Sequence, residues 1–342
     1  MKSHKNNFNL IRLLAAIQVL VIHACDHLGI KGALVTAVRV VPGVPTFFFV
    51  SGLLIYESYR RTSRQGSRSF FVNRVLRIFP ALWVCVAVSC LAVWATGYLQ
   101  TQKFSIVDFT AWLLAQSTFF QFYNPPYMRN FGVGVLNGAL WTIAVELQFY
   151  ALTPVLVRFL DRKILLFAAV LVASLLVNVL ILHYLDWNKL WMKLVYTSSA
   201  TWVYMFMVGC LTAHFKDQVG LILMRLRWWW LVAAYVLTMN LVGQYATNAN
   251  NGINPLSFFL MAACLLKLSE ADWPLPQSVV SFVRSEDFSY GVYLYHMPVL
   301  NMIIFSGIFP SFFGFGTALV ASLFLAILSW YLIEKPVLRR KM

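Results

Sequence analysis

The sequence predicts an all-α fold: a polytopic membrane helix bundle of about ten transmembrane helices, with a re-entrant segment near residues 106–123. The chain is 60% hydrophobic and only 11% charged, whereas soluble domains are about one quarter charged. Apolar runs that approach the ~20 residues needed to cross a bilayer recur along the whole chain. Lys and Arg cluster between these runs, as in loops that determine membrane topology.

Residues 106–123 determine how the apolar runs are threaded through the membrane. If this run crosses, the basic cluster at 158–163 falls outside; if it enters and returns, ten spans remain and the cluster falls inside. The Asn124-Pro125-Pro126 break that follows fits a return loop, so we expect ten spans. The runs lie near residues 10–28, 44–58, 78–98, 106–123, 139–157, 164–184, 197–214, 228–244, 253–268, 288–306 and 314–333.

The distribution of basic residues favours this topology, with both termini in the cytoplasm. Of the 27 Lys and Arg residues, twenty then lie inside, six lie outside, and Arg12 lies within the membrane. This asymmetry follows the positive-inside rule. The inner set is Lys2, Lys5, Arg60, Arg61, Arg64, Arg68, Arg74, Arg77, Arg158, Arg162, Lys163, Lys216, Arg225, Arg227, Lys267, Arg284, Lys335, Arg339, Arg340 and Lys341; the outer set is Lys31, Arg39, Lys103, Arg129, Lys189 and Lys193.

Composition also narrows the class of protein. The formal charge of +15 does not indicate a nucleic-acid partner, because the cations lie in topological loops. The five cysteines lie in or beside apolar runs without metal-ligand spacing, so we expect neither a disulfide framework nor a metal site. Residues 1–28 resemble a secretory signal, but Arg12 interrupts the apolar core and no small-x-small cleavage site follows. We expect this segment to be retained in one integral-membrane domain, residues 1–342.

The first apolar run carries a polar stripe. Arg12 and His23 are eleven residues apart, so in a helix they project from one face, ~16 Å apart, with Asp26 and His27 on either side. Ionisable groups inside a membrane usually face a bundle interior or a wet cavity. The stripe therefore predicts a site in which His23 is a general base and Asp26, at i+3, orients its imidazole. The alternative is a structural histidine beside a solvated carboxylate.

A pair of arginines lies at the cytoplasmic entrance to the third span. Arg74 and Arg77 are three residues apart and share a face if the segment is helical. Planar guanidinium groups bind phosphates in a bidentate manner, which makes a phosphate site one interpretation. The other is topology control or binding of anionic headgroups. That interpretation explains the arginines of residues 60–68 better than it explains Arg77.

Three further polar positions interrupt apolar runs. Glu146 is the only acid in its run and needs a cationic or protonic partner, for which Arg12 is a candidate; a purely structural ion pair is the alternative. Ser51-Gly52 favours close packing between helices. His296 precedes Pro298, whose ring frees a backbone carbonyl. His296 either lines a cavity or bonds that carbonyl, and we interpret it as structural.

In this order the segments resemble the acyltransferase 3 family of integral-membrane O-acyltransferases, which includes surface-polysaccharide O-acetyltransferases. By position, His23 matches the family's proposed catalytic histidine, Arg12 the arginine before it, and Arg74 and Arg77 the pair linked with acyl-CoA binding. The chain reads AVEL around Glu146, where many relatives have a second acid. The resemblance covers nearly the whole chain, through residues 7–16 (NFNLIRLLAA) with His23, 47–55 (FFFVSGLLI), 74–80 (RVLRIFP), 140–150 (LWTIAVELQFY), 290–298 (YGVYLYHMP) and 334–336 (EKP).

The resemblance implies an enzyme of the bacterial cytoplasmic (inner) membrane. Its donor substrate would be cytoplasmic acyl-CoA, commonly acetyl-CoA, with no permanently bound cofactor. The acceptor would be a hydroxyl of a cell-surface or lipid-linked glycan. Some relatives carry an appended esterase-like domain that this chain does not show, so we expect transfer to be completed within the bundle.

These assignments predict a route for the acyl group through the membrane interior. The phosphates of the donor would stay on Arg74 and Arg77 while the pantetheine arm threads between helices towards His23. His23, oriented by Asp26, would remove a proton from the acceptor hydroxyl as that hydroxyl attacks the thioester carbonyl. The route requires a hydrated chamber beside His23. No serine or cysteine is placed convincingly for an acyl-enzyme.

Two other functions remain open from the residues. A proton-coupled transporter or flippase of lipid-linked sugars or organic acids is the main alternative, because intramembrane Arg, His and Glu also serve proton coupling. Transporters often contain inverted repeats and paired broken helices, and the sequence shows no such symmetry. The third interpretation is a non-catalytic partner in an envelope-synthesis complex, which the polar stripe of the first helix disfavours.

Overall fold

The structure, a computed structural model, describes residues 7–63, 66–242, 251–274, 276–307 and 312–340. All regular elements in these ranges are helical, which confirms the all-α class. The expected cytoplasmic termini concern residues 1–6 and 341–342, which lie outside the described residues, as does Arg64. The α-helices are α1 Phe8–His27, α2 Ala33–Arg39, α3 Gly43–Thr62, α4 Ser67–Ala95, α5 Tyr98–Thr101, α6 Ile106–Ser117, α7 Trp141–Arg162, α8 Ile164–Tyr184, α9 Leu190–Tyr196, α10 Ser199–His214, α11 Lys216–Arg225, α12 Trp228–Leu241, α13 Pro255–Glu270, α14 Gln277–Ser285, α15 Ser289–Phe305, α16 Phe312–Ser329 and α17 Lys335–Leu338.

Seven helical stretches in the described part of the chain are long and apolar enough to cross a membrane. The pair α11 and α12 is bent by 94° and gives an eighth if it forms one span. The chain is thus a multi-pass membrane protein, but the predicted count of about ten is not confirmed. Ten spans would require crossing by α12, α13 and α15, which have only 14, 16 and 17 residues. The seven stretches are Phe8–His27, Ala33–Thr62, Ser67–Ala95, Trp141–Arg162, Ile164–Tyr184, Leu190–His214 and Phe312–Leu338.

The segment predicted to re-enter contains a helix too short to cross. Helix α6 has 12 residues, about 18 Å of rise, against ~30 Å of hydrocarbon. It begins with a capping box between Ser105 and Asp108. After α6 the chain turns back, and the Gln116 side chain donates hydrogen bonds to the carbonyls of Gln121 and Tyr123, at 3.1 and 2.8 Å. The re-entrant arrangement of residues 106–123 stays a prediction.

Helices α3 and α10 cross at backbone contact. A Cβ atom at Gly52 would overlap the carbonyl oxygen of Phe206, and one at Gly209 would overlap that of Phe49. Glycine is therefore required on both helices, as the small-residue interpretation of Ser51-Gly52 predicts. The crossing sets the position of α3, which carries Phe47 and Ser51 into the interior of the bundle.

We expect alanine at Gly52 or Gly209 to destabilise the protein by about 1–3 kcal/mol, because the added methyl forces the two backbones apart. The measurement is thermal unfolding of the detergent-purified protein. Gly220→Ala is the matched control, since nothing lies within 4 Å of a Cβ built there. Equal melting temperatures for all three variants would contradict the close crossing.

Helix α15 lies largely within the protein interior. Most of its residues are buried, and it packs against α1 and α16. Gly291 lets α16 approach, because a Cβ there would lie 2.7 Å from the Cα of Ala326. On its other side α15 presents Tyr293 and His296 towards α1 and α3.

Candidate functional site

Two cavities lie next to each other inside the bundle. The outer cavity, about 890 Å³, is lined by His23, His27, aromatic residues and the loop residues 133–135 and 137–139. The inner cavity, about 30 Å³, is lined by Arg12, Ser51, Glu146 and neighbouring aromatic residues. This volume is enough to hold a water molecule. Two residues, Val44 and Tyr293, line both.

Tyr293 separates the two cavities. Its ring meets Phe47 edge-on with centroids 5.5 Å apart, and its hydroxyl lies 2.7 Å from the Thr142 hydroxyl. The chamber required beside His23 therefore exists, but this structure closes it towards the inner cavity.

His23 is held by a second histidine. Its Nδ1 lies 2.9 Å from Nε2 of His296, and the two rings are inclined by only 24° with centroids 5.2 Å apart. His296 is 2% exposed, and its Nδ1 lies 2.8 Å from the Tyr293 carbonyl oxygen and 3.3 Å from that of Val292. The pairing of His23 with His296 was not predicted from the sequence. The available signal was a second ionisable residue in an apolar run.

The carbonyl freed by Pro298 has other partners than His296. That carbonyl belongs to Leu294, and it accepts hydrogen bonds from the Asn137 side chain at 2.8 Å and from the Cys85 thiol at 3.4 Å. The interpretation that His296 bonds the carbonyl freed by Pro298 is therefore wrong. The imidazole bonds the preceding turn of α15 and reaches α1.

Asp26 does not orient His23. Its carboxylate forms an ion pair with Arg39 of α2, and the Asp26 side chain is 38% exposed. A guanidinium offers the carboxylate a charge-assisted hydrogen bond, so Asp26 turns away from the imidazole. The predicted i+3 contact is therefore corrected: Asp26 ties α2 to the end of α1. His27 lines the outer cavity, with its ring centroid 6.1 Å from that of His23.

Arg12 belongs to a charged cluster, which we define as Arg12, Arg77, Asp287 and Glu334. One oxygen of Asp287 lies 2.5 Å from Arg12 and 2.5 Å from Arg77, and Arg77 also lies 3.6 Å from Glu334. Asp287 precedes α15. Burial opposes its ionisation, but Arg12, Arg77 and the Ser289 hydroxyl outweigh burial and hold its pKa below the usual value. Sequence reasoning missed Asp287, whose only signal was its position beside a polar motif.

Glu146 lies near Arg12 but is not its partner. Its carboxylate accepts hydrogen bonds from the Tyr150 hydroxyl at 2.5 Å and from Ser51 at 3.3 Å. Arg12, the candidate partner of Glu146, pairs with Asp287 instead. Both residues nevertheless line the inner cavity.

The two predicted phosphate-binding arginines have different surroundings. Arg77 is held by two carboxylates of the charged cluster. Arg74 donates a hydrogen bond to Ser58 at 3.2 Å and lies over the rings of Phe70 and Tyr150. Its buried Nε has no hydrogen-bond partner among the described residues. Among the residues that the structure describes, Arg74 therefore forms no ion pair with a carboxylate, whereas Arg77 is neutralised by two.

The outer cavity combines aromatic and basic side chains. Trp141 and Trp187 pack against Tyr196, with centroids 4.9 and 5.3 Å from the tyrosine ring. Arg129 and Lys193 also line it, and no acidic residue is among the lining residues that the structure describes. Flat apolar faces with polar edges suit a sugar ring, and the cations would tolerate or favour an anionic acceptor.

Comparison with known proteins places the chain in a family. The family model described as an acyltransferase domain, that of the acyltransferase 3 family, matches residues 5–335. No solved structure matches.

Relatives match over different shares of their length. "Nodulation protein 10" of Rhizobium leguminosarum bv. viciae is 35% identical over 98% of this chain and 94% of that protein. An "O-acetyl transferase" of Shigella phage Sf6 is 27% identical over 98% of this chain and 97% of its own length. "O-acetyltransferase OatA" of Staphylococcus aureus is 25% identical over 50% of this chain and 29% of that protein. The chain thus belongs to the acyltransferase 3 family and is an acyltransferase.

Proposed function

We propose that the protein is a membrane O-acetyltransferase that moves an acetyl group from cytoplasmic acetyl-CoA to a hydroxyl of a cell-surface or lipid-linked glycan. The observation that carries this proposal is the position of His23. Its ring lines a cavity large enough for a sugar, and one of its nitrogens is already bonded by His296. Two relatives bear O-acetyltransferase names: the phage protein, which matches over nearly its whole length, and the Staphylococcus aureus protein, which matches over part of it. Their names support acetyl as the transferred group and a hydroxyl oxygen as its acceptor.

The donor would enter from the end of the bundle that carries Arg74. The buried Nε of this arginine has no hydrogen-bond partner in the part of the chain that the structure describes. Its guanidinium lies over Tyr150, whose hydroxyl bonds Glu146 in the wall of the inner cavity. Phosphate on Arg74 would thus place a pantetheine arm at the inner cavity. Arg77 would support this site indirectly, by fixing α4 against Asp287.

The chemistry would take place at the boundary between the two cavities, where the Tyr293 and Phe47 rings would separate to admit the donor arm. The acceptor hydroxyl gives its proton to Nε2 of His23 as its oxygen attacks the thioester carbonyl carbon. The carbon–sulfur bond then breaks, and the departing CoA thiolate recovers the proton from the imidazolium. Base catalysis of this kind contributes about 10²–10⁴-fold, and holding both substrates at one point supplies much of the rest. Arg12 and Glu146 would polarise the inner wall of this passage.

The test is transfer by the purified protein in lipid nanodiscs. Labelled acetyl-CoA is supplied with surface glycans or lipid-linked precursors, and acetylated glycan is detected by mass spectrometry. Acetyl ester on the glycan is the expected result. Failure of every acceptor together with proton-driven uptake of sugars or organic acids into proteoliposomes would establish the transporter instead.

Arg74→Gln is expected to weaken donor binding by about tenfold to a hundredfold, because a hydrogen bond to a charged group contributes about 1.5–3 kcal/mol. The measurement is the dissociation constant of CoA, by calorimetry, and the KM for acetyl-CoA. Arg68→Gln is the control, since this arginine is exposed on the same segment. Equal affinities in both variants would remove Arg74 from the donor site.

A further inference from the structure

The proposed base needs an orienting partner, and the sequence-predicted one is occupied elsewhere. Asp26 pairs with Arg39. The atom that contacts His23 is Nε2 of His296, at 2.9 Å from Nδ1. The small angle between the rings and the 5.2 Å between their centroids place the two imidazoles edge to edge. This is hydrogen-bond geometry between two ring nitrogens rather than face stacking.

The backbone of α15 determines which nitrogen carries the proton. Nδ1 of His296 faces the carbonyl oxygens of Tyr293 and Val292, at 2.8 and 3.3 Å. A carbonyl oxygen only accepts, so Nδ1 of His296 must carry hydrogen. In a neutral imidazole the other nitrogen is then an acceptor. Nε2 of His296 therefore presents a lone pair to His23.

The tautomer of His23 follows from that lone pair. Its Nδ1 must donate to His296, so its Nε2 is left with the lone pair that a general base needs. The opposite assignment would bring a lone pair of His296 Nδ1 against the Tyr293 carbonyl at 2.8 Å, which is repulsive. Among the described residues no hydrogen bond reaches Nε2 of His23, and the ring lines the outer cavity.

We propose that His296 is the positioning residue of the active site: it holds His23 as the Nδ1–H tautomer and aims Nε2 at the acceptor hydroxyl. The inference rests on the proposed function for its catalytic consequence. When His23 accepts the proton, its Nδ1–H bond to His296 persists. The new charge then faces a neutral acceptor that is itself bonded to two helix carbonyls. His296 thus performs with a neutral ring the orienting task that a carboxylate performs in a Ser-His-Asp triad.

Three variants test this role through kinetics. His296→Leu removes the acceptor, and we expect kcat to fall by about 10²-fold or more with KM nearly unchanged, as for loss of an orienting group. His296→Gln is expected to stay within about tenfold of the unaltered protein. Its amide nitrogen can donate to the Tyr293 carbonyl while its oxygen accepts from His23. His183→Leu is the control, because that histidine is exposed. An unchanged kcat in His296→Leu, or equal losses in the Leu and Gln variants, would overturn the proposal.

A spectroscopic readout separates this inference from the proposed function. Ring ¹⁵N-labelled histidine distinguishes the two tautomers by nitrogen chemical shift, and His23→Gln identifies the signals of His23 among the six histidines. We expect His23 to carry hydrogen on Nδ1 in the unaltered protein and to become a mixture in His296→Leu. This measurement needs no substrate, and His23→Gln is the only variant required to assign the signal. Hydrogen on Nε2 of His23 would refute the proposal even if transfer were observed, whereas the expected tautomer without transfer would refute only the enzymatic function.

Discussion

His23→Ala is expected to lower the acetyl-transfer rate by about 10²–10⁴-fold, the contribution of a positioned general base. The protein should still fold and still bind CoA, because His23 makes no contact with Arg74 or with the charged cluster and borders a cavity. The measurement is single-turnover transfer of labelled acetyl groups, with CoA affinity determined in parallel.

His27→Ala provides the matched comparison for His23. His27 lies on the same helix and lines the same cavity, but it makes no bond to His296. We expect its replacement to change KM for the acceptor more than kcat. If transfer survived in His23→Ala at the rate of His27→Ala, the proton would have to go elsewhere and the base would be misassigned.

Asp287→Ala is expected to destabilise the protein by about 3–5 kcal/mol. The substitution leaves the guanidinium groups of Arg12 and Arg77 without their shared carboxylate, and an uncompensated buried charge is costly. The measurement is thermal unfolding of the protein purified in detergent. Asp161→Ala is the control, because Asp161 pairs with the exposed Arg60 at 2.8 Å, and exposed pairs contribute about 0–1 kcal/mol. Similar losses in both variants would contradict the central position of the cluster.

The pH dependence of this contribution has a defined sign. The pKa of Asp287 is lower in the folded protein than its ordinary value, so the folded state holds fewer protons than the unfolded state as the pH falls. The stabilisation by Asp287 is complete at neutral pH. It is lost only as the pH falls through the acidic range, below the usual titration of aspartate, and Asp287→Asn should remove this dependence.

The helical class was accessible from composition and run length. Twenty apolar residues in succession can satisfy their backbone groups in lipid only as a helix, whatever lies beside them. The number of spans was less accessible, because α12, α13 and α15 are shorter than a full crossing. A short helix such as α15 is buried by its neighbours, and hydropathy does not distinguish that burial from burial in lipid.

The partners of the ionisable residues could not be read from spacing. Arg12 and His23 do lie at opposite ends of one helix, as helical geometry requires. The partners of both come from α15 and the residues just before it, more than 270 positions away: Asp287 for Arg12 and His296 for His23. The candidates inferred from spacing, Asp26 for His23 and Glu146 for Arg12, bond Arg39 and Tyr150 instead.

The amino-acid sequence alone thus established a membrane-embedded helical protein whose first helix carries Arg12 near one end and His23 near the other. Lipid imposes the helical, apolar character on each segment separately. The assembled bundle established which charge meets which, and which nitrogen of His23 is available to a substrate. Those contacts depend on how α1, α3, α4 and α15 pack around a common interior. Helix packing depends on residues far apart in the sequence. A charge that this packing buries pairs with whichever compensating group lies beside it in the folded protein.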